Sequence, residues 1–141
     1  MKQKETTSKQ CIDKQIQKEL DIMLKNAYSP YSKVKVACVL HFKNGKIYGG
    51  CNIENASYSC TICAERCAIF KAVSAGENLQ GVDCVYIKCD QKQLFSPCGA
   101  CRQVLSEFIK PETSVVMLTS QNEKLIEEQT LEKLLPLGFK L

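Results

Sequence analysis

No run of apolar residues among these 141 approaches the roughly 20 that a membrane-spanning helix requires. The opening MKQKETTSKQ is polar, with no apolar segment behind its lysines, so it does not read as a secretory signal. Residues 1–10 are expected to form a flexible tail, and a cytoplasmic location follows as an expectation. No internal repeat, low-complexity tract or linker interrupts the rest, which fits a single domain over 11–141. Charge of one sign is not concentrated anywhere. Nineteen Lys and Arg against fifteen Asp and Glu leave a net charge of +4, with both signs interleaved as in KNGK and EKLIEEQ. That pattern reads as a solvated surface and not as a nucleic-acid groove, which clusters its basic residues. The only histidine, His41, lies in a strand-like run without a ligand-spaced partner and reads as structural.

Cysteine is what the sequence has in quantity. There are ten, at 11, 38, 51, 60, 63, 67, 84, 89, 98 and 101. In a reducing compartment, clustered thiols read as metal ligands, whereas isolated ones such as Cys38 and Cys84, inside apolar runs, read as small buried hydrophobes.

The hydrophobic pattern alternates between two periods. Ile12, Ile16, Leu20, Met23, Leu24 and Ala27 fall at helical spacing across 11–27, and Pro30 predicts a stop near Ser29. Val34, Val36, Cys38 and Leu40 alternate, predicting a strand with one face inside. Asn44-Gly45 is a hairpin turn signal, and KIYGGC returns as the second strand. Residues 52–60 read as a loop. Thr61 is the expected cap of a helix running from Cys63 to about Ala75 and closed by Gly76. GVDCVYIKC is a buried strand, Pro97 opens a helix from about Cys98 to Ile109, SVVMLTS is another strand, and EKLIEEQTLEKLLP ends in a short helix stopped by Pro136. Strands alternating with helices predict an α/β domain.

Cys60-Thr61-Ile62-Cys63 and Cys98-Gly99-Ala100-Cys101 both fall at junctions leading into helices. A helix N-terminus stabilises a thiolate, and zinc requires deprotonated cysteines. Two such pairs are a strong metal signal, but spacing alone leaves two readings open. One is a closed four-thiolate structural zinc. The other is an open site of three thiolates, Cys63, Cys98 and Cys101, of the kind catalytic zinc uses. Glu65, two residues past Cys63, has no use in a closed site. Beside an activated water it could take a proton and pass it on.

Cys-x-Glu followed by Pro-Cys-x-x-Cys is the arrangement of the zinc deaminases. Beyond it, YSPYSKVKV, GCNIENASYS, CAERCAIFKAVSAGE, SPCGACRQVLSEF and LEKLLPLGF, in that order from about residue 28 to 139, closely resemble the small homotetrameric cytidine deaminases. The resemblance implies a three-layer α/β/α sandwich with a mixed five-stranded sheet. It implies one Zn²⁺ per subunit on Cys63, Cys98 and Cys101, with Glu65 as proton shuttle. It further implies a backbone N–H at Ala64 for the pyrimidine O2, a backbone carbonyl at Ser96 for the leaving amino group, and Asn52 and Glu54 for the ribose hydroxyls. Arg66 matches an arginine that offsets the net negative charge of three thiolates on Zn²⁺. Ala56, Tyr58 and Phe139 match positions through which neighbouring subunits complete one another's sites. One departure bears on the substrate. After Pro-Tyr-Ser-Lys these enzymes usually carry a Phe that packs on the ligand, and this chain has Val34, which is smaller and has no ring to stack. Val36-Ala37-Cys38 also departs from the usual Val-Gly-Ala.

The expected activity is therefore hydrolytic deamination of cytidine and deoxycytidine to uridine and deoxyuridine, with release of ammonia, in pyrimidine salvage. The expected partners are a free nucleoside and three further copies of the chain, with no nucleic acid and no membrane. The rivals are a deaminase of a cytosine nucleoside antibiotic of the blasticidin S kind, a nucleic-acid cytosine deaminase, and a non-catalytic zinc-folded binding module in which Cys60 closes the site.

Overall fold

The computed structural model describes residues 12–141; the expected tail and Cys11 lie outside them. The elements run α1 (Lys14–Asn26), β1 (Val36–Phe42), β2 (Ile47–Cys51), a 3₁₀ turn (Tyr58–Cys60), α2 (Ala64–Ser74), a second 3₁₀ turn (Leu79–Gly81), β3 (Val82–Cys89), α3 (Gly99–Phe108), β4 (Ser114–Thr119), β5 (Ile126–Thr130) and α4 (Leu131–Leu134). The strands form one mixed sheet in the order β2-β1-β3-β4-β5. β3 and β4 are parallel, joined by a crossover through α3, and every other neighbouring pair is antiparallel.

Each face of the sheet carries its own core. Cys38, Leu40, Phe42, Val85, Ile87 and Val115 face Ala64, Ala68, Ile69 and Ala72 of α2, Leu105 of α3 and Leu131 of α4. The alternate residues Ala37, Val39, Cys84, Tyr86, Val116 and Leu118 pack with Ile16, Leu20 and Leu24 of α1. Helices thus cover both faces, giving the expected three layers. It follows that β1 is buried on both sides, not on one as its alternation suggested, and that it starts at Val36, leaving Val34 ahead of the strand.

Several boundaries move for local reasons. α1 starts at Lys14 because the Asp13 side chain accepts the Gln15 N–H and caps it. It ends at Asn26, ahead of Ser29, because the Tyr28 N–H turns to the Asn52 carbonyl and the Tyr28 carbonyl takes the Glu54 N–H. Thr61 does not cap α2. Its hydroxyl accepts the Asn55 N–H, and Ile62 pairs its backbone with Ile53, so helical geometry is postponed and Cys63 occupies the cap position. Pro97 likewise stands just ahead of α3, with Cys98 at the cap. The hairpin at Asn44-Gly45 and the closure at Gly76 are as expected, with φ of 86° and 81° at the two glycines. β5 was not visible in the sequence. Its IEEQT is an exposed edge strand with no apolar face to read.

One glycine sets the distance between a strand and the helix above it. A Cβ on Gly50 would lie 2.6 Å from the Ala64 carbonyl oxygen and overlap the Ala68 amide nitrogen. β2 and α2 therefore touch backbone to backbone, and the contact lies at the first turn of α2, where Ala64 and Glu65 sit.

Candidate active site

Two helix N-termini converge. Cys63 caps α2, Cys98 caps α3, and Cys101 lies in the first turn of α3. Their sulfurs lie within 4.8 Å of one another, the only such group of potential ligands among the described residues. Cys60, exposed in the 3₁₀ turn, and Cys67, one turn further along α2, do not join it. Among the described residues no fourth thiolate joins the cluster, as a closed site would require.

The donor set suits zinc. Ligands about 2.3 Å from a tetrahedral zinc lie about 3.8 Å apart, and the Cys63 and Cys98 sulfurs are 3.9 Å apart. Cys63 and Cys101 share a proton unequally. The Cys63 thiol is pulled down to about 5, first by a hydrogen bond from Cys101 and then by those from Arg66 and Cys98. Cys101, holding its proton toward Cys63 and buried, is pushed far up. A divalent cation removes that conflict by letting all three ionise. Arg66 donates from a terminal nitrogen to the Cys63 sulfur at 3.6 Å and to the Thr61 carbonyl at 3.4 Å. It stands behind the sulfurs and supplies positive charge to them.

Glu65 follows Cys63 into the first turn of α2 and is only 4% exposed. Burial raises its carboxyl to about 7, and the neighbouring Cys63 charge adds to the effect against the opposing pull of hydrogen bonds and Arg66. A carboxyl near 7 both accepts and returns a proton at neutral pH.

A cavity of about 350 Å³ opens beside the cluster, within the range of small-molecule sites. Of the residues singled out from sequence, it brings together Val34, Asn52, Glu54, Tyr58, Cys63, Ala64, Glu65, Ser96 and Cys98. Ala56 and Phe139 do not line it. Phe139 is 67% exposed and borders a separate cleft with Ile109, Leu131 and Leu135. Five lining residues went unread: Ser32, Val36, Thr61, Ile87 and Phe95. Phe95 could have been suspected from its place just before Ser96-Pro97-Cys98.

Asn52 and Glu54 are held rather than merely present. Asn52 donates from Nδ2 to the Val34 carbonyl and accepts the Val36 N–H at Oδ1, both at 2.9 Å. Glu54 is buried and accepts the Ser32 hydroxyl at 2.7 Å and the Ser32 N–H at 3.2 Å. One wall of the cavity is thus an amide and a carboxylate on a braced backbone, while another is two sulfurs and a buried acid.

The model of the cytidine and deoxycytidylate deaminase zinc-binding region matches residues 10–118. The chain belongs to this deaminase family. It is 47% identical over 113 residues to the cytidine deaminase of Sporosarcina psychrophila, covering 80% of each chain. To that of Halalkalibacterium halodurans it is 44% identical, covering 80% of this chain and 83% of the relative. The crystal structure of cytidine deaminase from Burkholderia pseudomallei superposes with a TM-score of 0.80 at 37% identity, over 86% of this chain and 94% of that one. The α/β fold is shared with these enzymes, and the chain is a hydrolytic deaminase by family. Among the described residues no helix is long and apolar enough to cross a membrane.

Proposed function

We propose that this protein deaminates cytidine and deoxycytidine, with one zinc per subunit held by Cys63, Cys98 and Cys101. The observation that carries the reading is the juxtaposition, around one cavity, of a three-sulfur cluster that lends it Cys63 and Cys98, the buried Glu65, and the braced Asn52–Glu54 pair.

Cys63, Cys98 and Cys101 would hold the zinc, which when bound would supply the Lewis acidity that brings the pKa of a water toward neutrality. Glu65 takes a proton from the attacking water and delivers one to N3 of the base. As the new C4–O bond forms, the ring loses its C4–N3 double bond. Glu65 then takes the proton of the new C4 hydroxyl and passes it to the exocyclic amine; as C4=O forms the bond from C4 to that amine breaks, leaving ammonia and a uracil nucleoside. The Ala64 N–H, at the start of α2, meets O2, and the Ser96 carbonyl accepts from the amino group. Glu54 and Asn52 receive the ribose hydroxyls, with Val34 beside them. Arg66 offsets the charge of −1 that three thiolates leave on Zn²⁺.

The names of the relatives support the choice of cytidine. A homotetramer acting in pyrimidine salvage in the cytoplasm completes the reading, with Ala56 and Phe139 serving a neighbour's site and Tyr58 lining the cavity of its own chain. The test is conversion of cytidine and deoxycytidine by zinc-replete protein, followed by the absorbance change and by ammonia release. Equimolar uridine and ammonia are expected. Folded, metal-loaded protein that turns over neither nucleoside overturns the reading, and turnover confined to a cytosine nucleoside antibiotic would transfer the activity to that substrate.

A further inference from the structure

Arg102 is half-buried and charged, yet it makes no ion pair among the described residues. It completes the first turn of α3, directly after Cys101. Its guanidinium spends three donors on oxygens, none of them a carboxylate. Nε donates to the Pro97 carbonyl at 2.7 Å, Nη2 to the Ser96 hydroxyl at 3.0 Å, and Nη1 to the Leu134 carbonyl at 2.7 Å. Its backbone N–H donates to the Cys98 carbonyl at 2.9 Å. One residue therefore bonds Ser96, Pro97 and Cys98 in succession.

Those three residues take their place from tertiary bonds. Residues 94–98 belong to no helix or strand, and Pro97 has no N–H to offer a neighbour. Ser96 and Cys98 line the cavity, while Pro97 is fully buried between them. The bonds to the Ser96 hydroxyl and the Pro97 carbonyl bracket the peptide that carries the Ser96 carbonyl. The third bond fixes the guanidinium from its far side, because the Leu134 carbonyl at the end of α4 belongs to a different segment of the chain. A planar fork held in this way presents its other donors at set angles, as a lysine ammonium does not.

We infer that Arg102 is a positioning residue for the amine end of the cavity, holding the Ser96–Pro97 peptide so that the Ser96 carbonyl meets the exocyclic amine of the substrate. The inference rests on the proposed nucleoside deaminase reading. Its consequence is selective. Cytidine presents an amino donor at C4, whereas uridine presents an oxo acceptor. A carbonyl fixed at that point attracts the first and repels the second. Letting it move weakens the hold on the substrate without weakening the hold on the product.

The experiment compares wild type with Arg102→Met, Arg102→Lys and Ser96→Ala. Each is checked for folding and zinc content, with KM and kcat measured for cytidine and the dissociation constant of uridine by calorimetry. Arg102→Met keeps the length of the side chain and removes every donor. It is expected to lower kcat/KM about 10–100-fold, the scale of a misplaced contact, with uridine binding within about threefold of wild type. Arg102→Lys keeps the charge without the fork and is expected to lose about tenfold in kcat/KM. Ser96→Ala keeps the carbonyl and cuts one tether, for an expected loss of about threefold or more. Unchanged kcat/KM in Arg102→Met overturns the inference, and so does uridine binding weakened by the same factor as kcat/KM, which is the mark of a residue that only holds the fold. Wild-type kcat/KM in Arg102→Lys overturns it as well. If Arg102→Met does not fold, the other two variants decide by the same comparison. A wild-type protein that converts no cytidine would instead overturn the functional reading beneath it.

Discussion

Arg66 combines two properties: one terminal nitrogen lies on the Cys63 sulfur, while its buried Nε has no hydrogen-bond partner among the described residues. An arginine placed to satisfy its own hydrogen bonds would not leave that donor unmet, whereas one placed to offset charge on sulfur can. Arg66→Gln is expected to weaken zinc about 10–100-fold, the usual cost of losing such a supporting group, as read by chelator competition. Unaltered zinc affinity would show that Arg66 is a packing residue. At this scale much of the site was legible, because Cys63, Glu65, Arg66, Cys98 and Cys101 sit at fixed offsets around two helix starts. What could not be read was the bracing. Ser32 lies 22 residues from the Glu54 it bonds, and Asn52 spends its amide on the backbone of Val34 and Val36. Those contacts exist only once the two segments lie side by side, so nothing in local spacing announces them.

Among the elements, α2 owes its position to Gly50. Gly50→Ala would place a methyl against the Ala64 carbonyl and the Ala68 amide, which are backbone atoms in a hydrogen-bonded helix and have little room to yield. Overpacking of this kind costs about 1–3 kcal/mol or more. The variant is expected to show a lower Tm and, because α2 carries Glu65, a kcat reduced further than the loss of folded protein explains. Wild-type stability would mean that α2 shifts outward freely. Legibility at this scale followed burial. α1, β1, β3 and β4 announced themselves through apolar periodicity, because each packs against a core. β5 did not, since Glu127 and Glu128 are exposed on the edge of the sheet and only pairing with β4 makes the segment a strand. Thr61 misled for a related reason. Its hydroxyl suits a cap, but a tertiary hydrogen bond to Asn55 claims it first.

On the scale of the whole molecule, the residues that one chain cannot bring to its own cavity carry information. Phe139 is 67% exposed at a cleft apart from the cavity, and Leu137 beside it is fully exposed. If neighbouring copies complete one another's sites, chains carrying Phe139→Ala and chains carrying Glu65→Ala, each impaired alone, should regain activity when refolded together. Sedimentation should report a tetramer. A monomer, or mixtures no more active than their parts, would assign Phe139 to packing within its own chain. The most direct test of the central claim remains the paired measurement of zinc content and cytidine turnover in Glu65→Ala. An open three-thiolate site with Glu65 as its proton carrier predicts full zinc occupancy with turnover reduced about 10²–10⁴-fold. Undiminished turnover with zinc retained would contradict it.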